Sequence, residues 1–165
     1  MSNRATRLLA DLFLVGSLLF IGALPLPAWA DGFQAFQADS RQAIEQAYPG
    51  KSIIMAFWSV ECAYCAEDLV ALGNVARQRP DIVFVTVNTD QDNAAEAARF
   101  LDGLKLPAHE RWQFGEADAD RLRYSVDRNW YGELPRTYFY NPRHEVQALS
   151  GKPDAAWLKR WLRSQ

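Results

Sequence analysis

Apolar runs and helical periodicities alternate along most of this chain. Ile53 to Trp58 is a short, wholly apolar run, which is typical of a strand buried on both faces of a parallel sheet. The stretch from Cys62 to Arg77 follows, and its apolar residues recur at helical spacing, so it predicts a helix. Ile82 to Val87 is rich in β-branched residues and predicts a second central strand. This alternation favours a parallel core.

The rest of the chain predicts a short helix at Arg41–Ala47 before these elements and, after them, two more helices with a strand between them, a hairpin and a last amphipathic helix. The predicted elements are a helix ending at Leu101, a strand at Arg111–Phe114, a helix at Ala117–Val126, strands at Arg136–Tyr140 and Glu145–Leu149, and a helix after Asp154. The two strands of the hairpin are joined by a short turn, so they add antiparallel pairing at one side of the sheet. The expected fold class is therefore α/β, with a central mixed sheet flanked by helices.

The first thirty residues have the pattern of a cleavable export signal. Arg4 and Arg7 give a positive start, and an apolar run follows from Leu12 to Leu24. The segment closes with Ala28-Trp29-Ala30, an A-x-A cleavage pattern. The alternative is an uncleaved anchor, but the run is short of the roughly 20 apolar residues that cross a bilayer. Cleavage after Ala30 and export to the periplasm are favoured, and an anchored form stays open.

Length, composition and charge limit what the remaining residues 31–165 can be. The chain has 165 residues, of which 49% are hydrophobic and 23% charged, so a single globular domain is expected. Loss of residues 1–30 removes two arginines and one aspartate and changes the net charge from −2 to −3. Nucleic-acid binders usually carry a basic patch or stripe, and none is evident here. Nucleic acid is therefore not an expected partner.

The chain has only two cysteines, Cys62 and Cys65, and they lie three positions apart. Disulfides persist in the compartments to which exported proteins go. A disulfide that closes so small a loop constrains little of the unfolded chain, so it would stabilise the fold poorly. The pair also follows a predicted buried strand and opens a predicted helix. Redox chemistry is therefore the favoured role for the pair.

The predicted position at a helix start assigns a role to each sulfur. Unpaired amides and the partial positive charge of a helix N-terminus stabilise a thiolate, which is the reactive form of cysteine. We expect Cys62, the more exposed of the two, to attack a substrate disulfide. We expect Cys65, shielded by the helix, to resolve the mixed disulfide. This cycle needs no cofactor.

A zinc site is the main alternative for a C-x-x-C pair. A structural zinc ion needs about four ligands, and the sequence offers two cysteines with His109 and His144 far away along the chain. Both histidines lie in polar segments and are expected to be solvated. The zinc interpretation is therefore the weaker one, and no metal is expected.

Two segments resemble the thioredoxin-like superfamily. Phe57 to Cys65 resembles its active-site segment, in which an aromatic pair precedes the first cysteine. Leu134-Pro135-Arg136-Thr137 is similar to the segment that carries its cis-proline and leads into a strand. Pro135 lies 70 positions after Cys65, which is similar to the exported TlpA-like reductases and their extra strand–helix unit. That unit is expected between Asp92 and Val126.

The resemblance implies a thioredoxin fold, a cis Leu134–Pro135 bond and a substrate surface beside the cysteines. The backbone of Leu134 could pair with an extended substrate segment by strand addition. The residues expected around the substrate are Trp58, Tyr64, Leu134 and Pro135. For Trp58 a plain core position is the close alternative, and for Pro135 a proline that merely begins a strand.

The sequence departs from the family's pattern at positions that concern proton transfer. Ala56 stands where many thioredoxins carry a buried acid, and Glu61 replaces the usual aromatic before the first cysteine. A carboxylate at Glu61 would disfavour the thiolate. Glu67 and Asp68 follow Cys65 closely, and either could act as a proton relay. A solvated acid on the helix surface is an equal alternative for both.

Three functions remain open at this point. The first is a reductase of protein disulfides, which in the family's pattern is itself reduced by a membrane electron donor. The second is an oxidase or isomerase, since Tyr64 resembles the corresponding residue of periplasmic isomerases. Those isomerases are dimers with an added domain, for which this chain has no room, so a monomer is expected. The third is a non-catalytic binding module with a static disulfide.

Overall fold

A computed structural model describes residues 32–165, and the expected export segment, residues 1–30, lies outside the described residues. The elements are β1 (Gln34–Phe36), α1 (Ser40–Ala47), β2 (Ile53–Trp58), α2 (Cys65–Gln78), β3 (Val83–Asn88), α3 (Ala94–Gly103), β4 (Glu110–Phe114), α4 (Ala119–Val126), β5 (Arg136–Tyr140), β6 (Val146–Ser150) and α5 (Ala155–Arg163). Between residues 32 and 165, no helix combines the length and the apolar character needed to cross a membrane.

The six strands form one mixed sheet in the order β1-β4-β3-β2-β5-β6. The first four strands in that order run parallel, and β5 is antiparallel to both β2 and β6. The predicted α/β class and the terminal antiparallel hairpin are thus confirmed. Strand β4 lies between β1 and β3, so it supplies the extra strand expected between Asp92 and Val126.

The side chains of β2 alternate between two apolar clusters, one on each side of the sheet. Ile54, Ala56 and Trp58 pack towards α2, α3 and α5, whereas the intervening side chains pack towards α1 and α4. All six residues of β2 are buried. A strand covered by helices on both faces has no solvated side, which explains its continuous apolar sequence.

Two features of the fold differ from the sequence prediction. Strand β1 was not predicted, because three residues carry no periodicity and each of them pairs with a β4 residue 78 positions further along the chain. The second helix begins at Cys65 rather than at Cys62. Two consecutive turns precede it, in which Cys62 N donates to Ser59 O at 3.2 Å and Cys65 N donates to Cys62 O at 3.2 Å.

Candidate active site

The candidate site lies at the carboxyl end of the central strand β2. The chain leaves β2 at Trp58 and reaches Cys62 after one turn. In the antiparallel neighbour β5, Arg136 pairs with Phe57, so the Leu134–Pro135 segment enters the sheet at the same edge. The register thus brings Cys62 close to the Leu134–Pro135 segment, which begins 72 positions later in the sequence.

Cys62 and Cys65 are joined by a disulfide, with their Cα atoms 5.4 Å apart. Cys65 is the first residue of α2 and is fully buried, whereas Cys62 lies in the preceding turn and is half-buried. The difference in exposure has the predicted direction, although the helix begins three residues later than predicted. A substrate can therefore reach Cys62, while Cys65 is accessible mainly to its partner sulfur.

The N-terminal end of α2 supplies the electrostatic environment of the two sulfurs. Cys62 lies just before the first turn, where the unpaired helix amides carry a partial positive charge. Glu67 and Asp68 lie within that first turn. The exposed Glu61 precedes Cys62 directly. The favourable helix end is therefore opposed by the exposed carboxylates of Glu61 and Glu67.

Asp68 is a buried carboxylic acid one helical turn after Cys65. Its side chain is 1% exposed, and its Oδ2 accepts one long hydrogen bond from Thr137 Oγ1 at 3.5 Å. Among residues 32–165, no group donates to its Oδ1. Burial raises the pKa of Asp68 to about 7, although the Thr137 hydroxyl and the Lys152 ammonium act to lower it. The solvated alternative for this residue is wrong, because the carboxyl faces the sheet.

The small side chain of Ala56 explains how a carboxyl can lie here. Ala56 pairs with Thr137 across β2 and β5, so both side chains face the same side of the sheet as Asp68. Helix α2 packs on that side. Helix α2 thus places the carboxyl of Asp68 on the side of the sheet that Ala56 faces.

Glu67 lies beside Asp68 in sequence but on the solvent side of α2. Its side chain is 70% exposed, and its Oε2 accepts from Lys152 Nζ at 3.1 Å. For Glu67 the solvated interpretation is correct, and the predicted relay role has no support, because the carboxylate points away from the core. Of the two candidate acids, only Asp68 is buried with Cys65.

The four predicted substrate residues differ widely in exposure. Tyr64 is 68% exposed and Leu134 is half-buried, so both offer surface beside Cys62. Pro135 is buried, and the Leu134–Pro135 bond is cis, as the resemblance implied. Trp58 is fully buried and stacks on Phe100 with ring centroids 5.1 Å apart. A substrate contact by Trp58 is thus wrong, since its ring belongs to the apolar cluster that contains Cys65.

The two histidines are less solvated than predicted. His109 is half-buried against Phe84, and its Nδ1 lies 2.7 Å from the Pro107 carbonyl oxygen. His144 is half-buried with its Nε2 3.1 Å from the Tyr48 carbonyl oxygen. Each ring therefore has a structural contact of its own. In residues 32–165, no group of three or more histidine, cysteine or acidic residues is arranged to hold a metal ion.

Several solved structures similar to this one are thiol-disulfide oxidoreductases or isomerases by name. A secreted disulfide oxidoreductase of Mycobacterium tuberculosis, homologous to Escherichia coli DsbE, is 18% identical with a TM-score of 0.57, and the match covers 73% of this chain and 86% of that chain. StoA from Bacillus subtilis is 20% identical with a TM-score of 0.51, covering 69% and 84%. A thiol-disulfide isomerase from Corynebacterium glutamicum is 12% identical with a TM-score of 0.61, covering 73% and 83%. This chain has the thioredoxin fold.

The fold is what these comparisons establish. No family model matches the sequence, and no curated protein sequence matches it. The three similar structures include an isomerase as well as oxidoreductases, so the thioredoxin fold is compatible with either direction of disulfide exchange. The direction depends on the residues around Cys62 and Cys65.

Proposed function

We propose that this protein is a thiol:disulfide oxidoreductase that reduces disulfides in exported proteins. The observation that carries the proposal is the asymmetric pair at the start of α2, a half-buried Cys62 bonded to a fully buried Cys65. An accessible nucleophile with a shielded resolving thiol is the arrangement that thiol–disulfide exchange requires.

The reaction transfers two electrons from the dithiol to the substrate. In the reduced protein, the Cys62 thiolate attacks one sulfur of a substrate disulfide, and the other substrate sulfur leaves as a thiolate that takes up a proton. Cys65 then loses its proton and attacks Cys62 Sγ, which releases the second substrate thiolate. The protein ends with the Cys62–Cys65 disulfide observed here. An external dithiol must reduce it before the next cycle.

Asp68 is the group that we assign to the proton of Cys65. The carboxyl lies one helical turn from Cys65 on the buried side of α2, and its pKa of about 7 lets it accept and release a proton near neutral pH. A buried thiol has little access to water, so a buried base beside it removes the main obstacle to resolution. Asp68 thereby takes the role of the buried strand acid of many thioredoxins, whose position is occupied by Ala56 in this chain.

The charges around the cysteines favour the reductase direction. A strongly oxidising disulfide requires a stabilised thiolate in the reduced form, as in DsbA. Here the exposed Glu61 precedes Cys62 directly, and the exposed Glu67 lies in the first turn of α2. Negative charges at these positions destabilise the thiolate, so reduction of the Cys62–Cys65 disulfide releases less energy. The protein is accordingly a better donor than acceptor of electrons.

The same proposal includes partners and location. The substrates are disulfide-bonded proteins, held beside Tyr64 and Leu134, which keep exposed surface at the site. The electron donor is a dithiol carrier of the membrane, and the protein works as a monomer in the periplasm after export by residues 1–30. Size-exclusion chromatography and fractionation of cells test the last two points.

Insulin reduction by the purified protein tests the proposed activity. With dithiothreitol as electron source, we expect wild-type turnover and no turnover by Cys62→Ser. Cys65→Ser is the matched variant, since it keeps the nucleophile and should accumulate mixed disulfides. Equal and negligible turnover by wild type and Cys62→Ser would contradict the proposed activity, and a non-catalytic binding module would be the remaining function. A reduction potential near about −270 mV supports the reductase, and one near about −120 mV contradicts it.

A further inference from the structure

The end of β6 and the loop that follows it contact two segments beside the cysteine pair. These are the segment that enters β5 and the first turn of α2. Gly151 N donates to Pro135 O at 2.8 Å, and Ser150 Oγ donates to Glu133 Oε1 at 2.6 Å. Pro153 is buried. This part of the loop is therefore fixed against the segment that enters β5, and the next residue, Lys152, has a defined position.

Lys152 extends from this loop to the first turn of α2. Its Nζ lies 3.1 Å from Glu67 Oε2, and the two side chains are 48% and 70% exposed. An ion pair this exposed contributes little to stability. Because the loop is held at Gly151 and Pro153 on either side of Lys152, the ammonium lies beside the helical turn that contains Asp68.

Asp68 has few groups near it that could compensate a negative charge. On β5 it faces the hydroxyl of Thr137, and from β2 the small Ala56 contributes no polar group. On its own helix, Glu67 points to solvent and Cys65 lies one turn earlier. In residues 32–165, the cation that lowers the pKa of Asp68 is Lys152.

We propose that Lys152 is a positioning residue of the redox site, which stabilises ionised Asp68 and so sets the pH range in which Cys65 is deprotonated. The proposal rests on the proposed function and deepens it. One proton moves from the Cys65 thiol to the Asp68 carboxylate, and Lys152 keeps its own protons throughout. Glu67 acts only by holding the ammonium in place.

Titration of Asp68 in the oxidised protein tests the coupling without any assay of activity. The carboxyl carbon of Asp68 is followed by NMR in wild type and in Lys152→Gln. Loss of the ammonium should raise the midpoint by about 0.2 to 0.7 pH units, the size expected for a partly exposed cation near a carboxylate. The difference should shrink in high salt. An unchanged midpoint overturns the proposal.

Two matched variants separate charge from structure. Lys152→Arg keeps the cation and should titrate like wild type, whereas a midpoint as high as that of Lys152→Gln would show that the ammonium's charge is irrelevant. Lys159→Gln removes an exposed cation from α5 and should leave the midpoint unchanged. A shift of equal size in this variant would overturn the specific role of Lys152.

The pH profile of mixed-disulfide resolution connects the coupling to the reaction. In Lys152→Gln the profile should move to higher pH by the same amount as the Asp68 midpoint. A moved midpoint with an unmoved profile overturns the link to Cys65. If wild type reduces no disulfide while the midpoint still moves, the proposed function fails and the coupling between Lys152 and Asp68 stands.

Discussion

The half-buried Arg41 and the fully buried Asp68 lie on opposite faces of the sheet and differ in how their polar atoms are paired. On the face covered by α1 and α4, Arg41 Nε donates to Tyr140 Oη and to Glu45 Oε1, each at 2.9 Å, and another of its nitrogens donates to Val126 O. On the face covered by α2, Asp68 has one long hydrogen bond and a carboxyl oxygen to which no described residue donates. The first face distributes its polar contacts over several partners, and the second leaves an acid poorly compensated.

This contrast distinguishes polar groups that stabilise the fold from polar groups that take part in the proposed reaction. Buried polar groups are normally hydrogen-bonded, and a satisfied network adds rigidity. The network around Arg41 fixes α1 to β5 and to the end of α4. A buried carboxyl with few compensating contacts lowers the stability of the fold. At the proposed redox site, the same surroundings bring the pKa of Asp68 to about 7, so its protonation changes near neutral pH. Perturbed pKa values of this kind are typical of functional sites.

The largest expected effect is on catalysis and comes from Asp68→Asn. The amide has nearly the same shape but cannot accept the proton of Cys65, so resolution of a mixed disulfide should slow by about 100-fold at pH 7. Quenched single-turnover reactions measure this step. Glu116→Gln, an exposed acid elsewhere, is the control and should resolve at the wild-type rate. A wild-type rate in Asp68→Asn would remove Asp68 from the mechanism.

The next effect is on the pH dependence of stability. The pKa of Asp68 is about 7 when folded and about 3.8 when unfolded, so the folded protein holds a proton that the unfolded chain has lost. The folding stability that this proton contributes is fully present below about pH 4. It is lost as the pH rises through 7, and the loss is on the order of a few kcal/mol. Asp68→Asn should not show this loss.

Urea unfolding of the two oxidised proteins at several pH values measures the difference. His109 acts in the opposite direction, because burial lowers its pKa and stability falls as the pH drops below 6.5. Its contribution is common to both proteins and cancels when they are compared at each pH. Parallel stability curves for wild type and Asp68→Asn would contradict the assignment.

A substitution on the face covered by α1 and α4 should change the stability of the protein and leave disulfide reduction unchanged. Arg41→Ala leaves the buried hydroxyl of Tyr140 without its donor and should lower the free energy of unfolding by about 2 kcal/mol. Insulin reduction well below the unfolding temperature should be unchanged. Arg121→Ala, at an exposed position on α4, should change stability by less than about 0.5 kcal/mol. Equal losses for both arginines would show that the network contributes nothing particular.

The smallest expected effect concerns the exposed Glu61. Glu61→Gln removes a negative charge beside Cys62, which should increase the thiolate fraction at neutral pH and speed the first attack about two- to threefold. The reduction potential should become slightly less negative. Alkylation of the reduced protein under pseudo-first-order conditions measures the attack rate. A slower rate in Glu61→Gln would reverse the electrostatic argument for the reductase direction.

Short-range patterns were enough to predict the central elements and the reactive pair. The run Ile53–Trp58 is apolar because both of its faces are covered, and a continuous run shows this without knowledge of the covering helices. Cys62 and Cys65 are three positions apart, so their ability to bond depends on local geometry alone. Their context after a strand and before a helix then indicated redox chemistry.

Contacts across the fold decided the roles that local patterns left open. Glu67 and Asp68 are neighbours in sequence, yet a rotation of about 100° along the helix places one in solvent and the other against Thr137. Lys152 joins the site only because the loop after β6 reaches α2. The state of an acid depends on the dielectric and the charges around it, and these are set by residues that are distant in sequence.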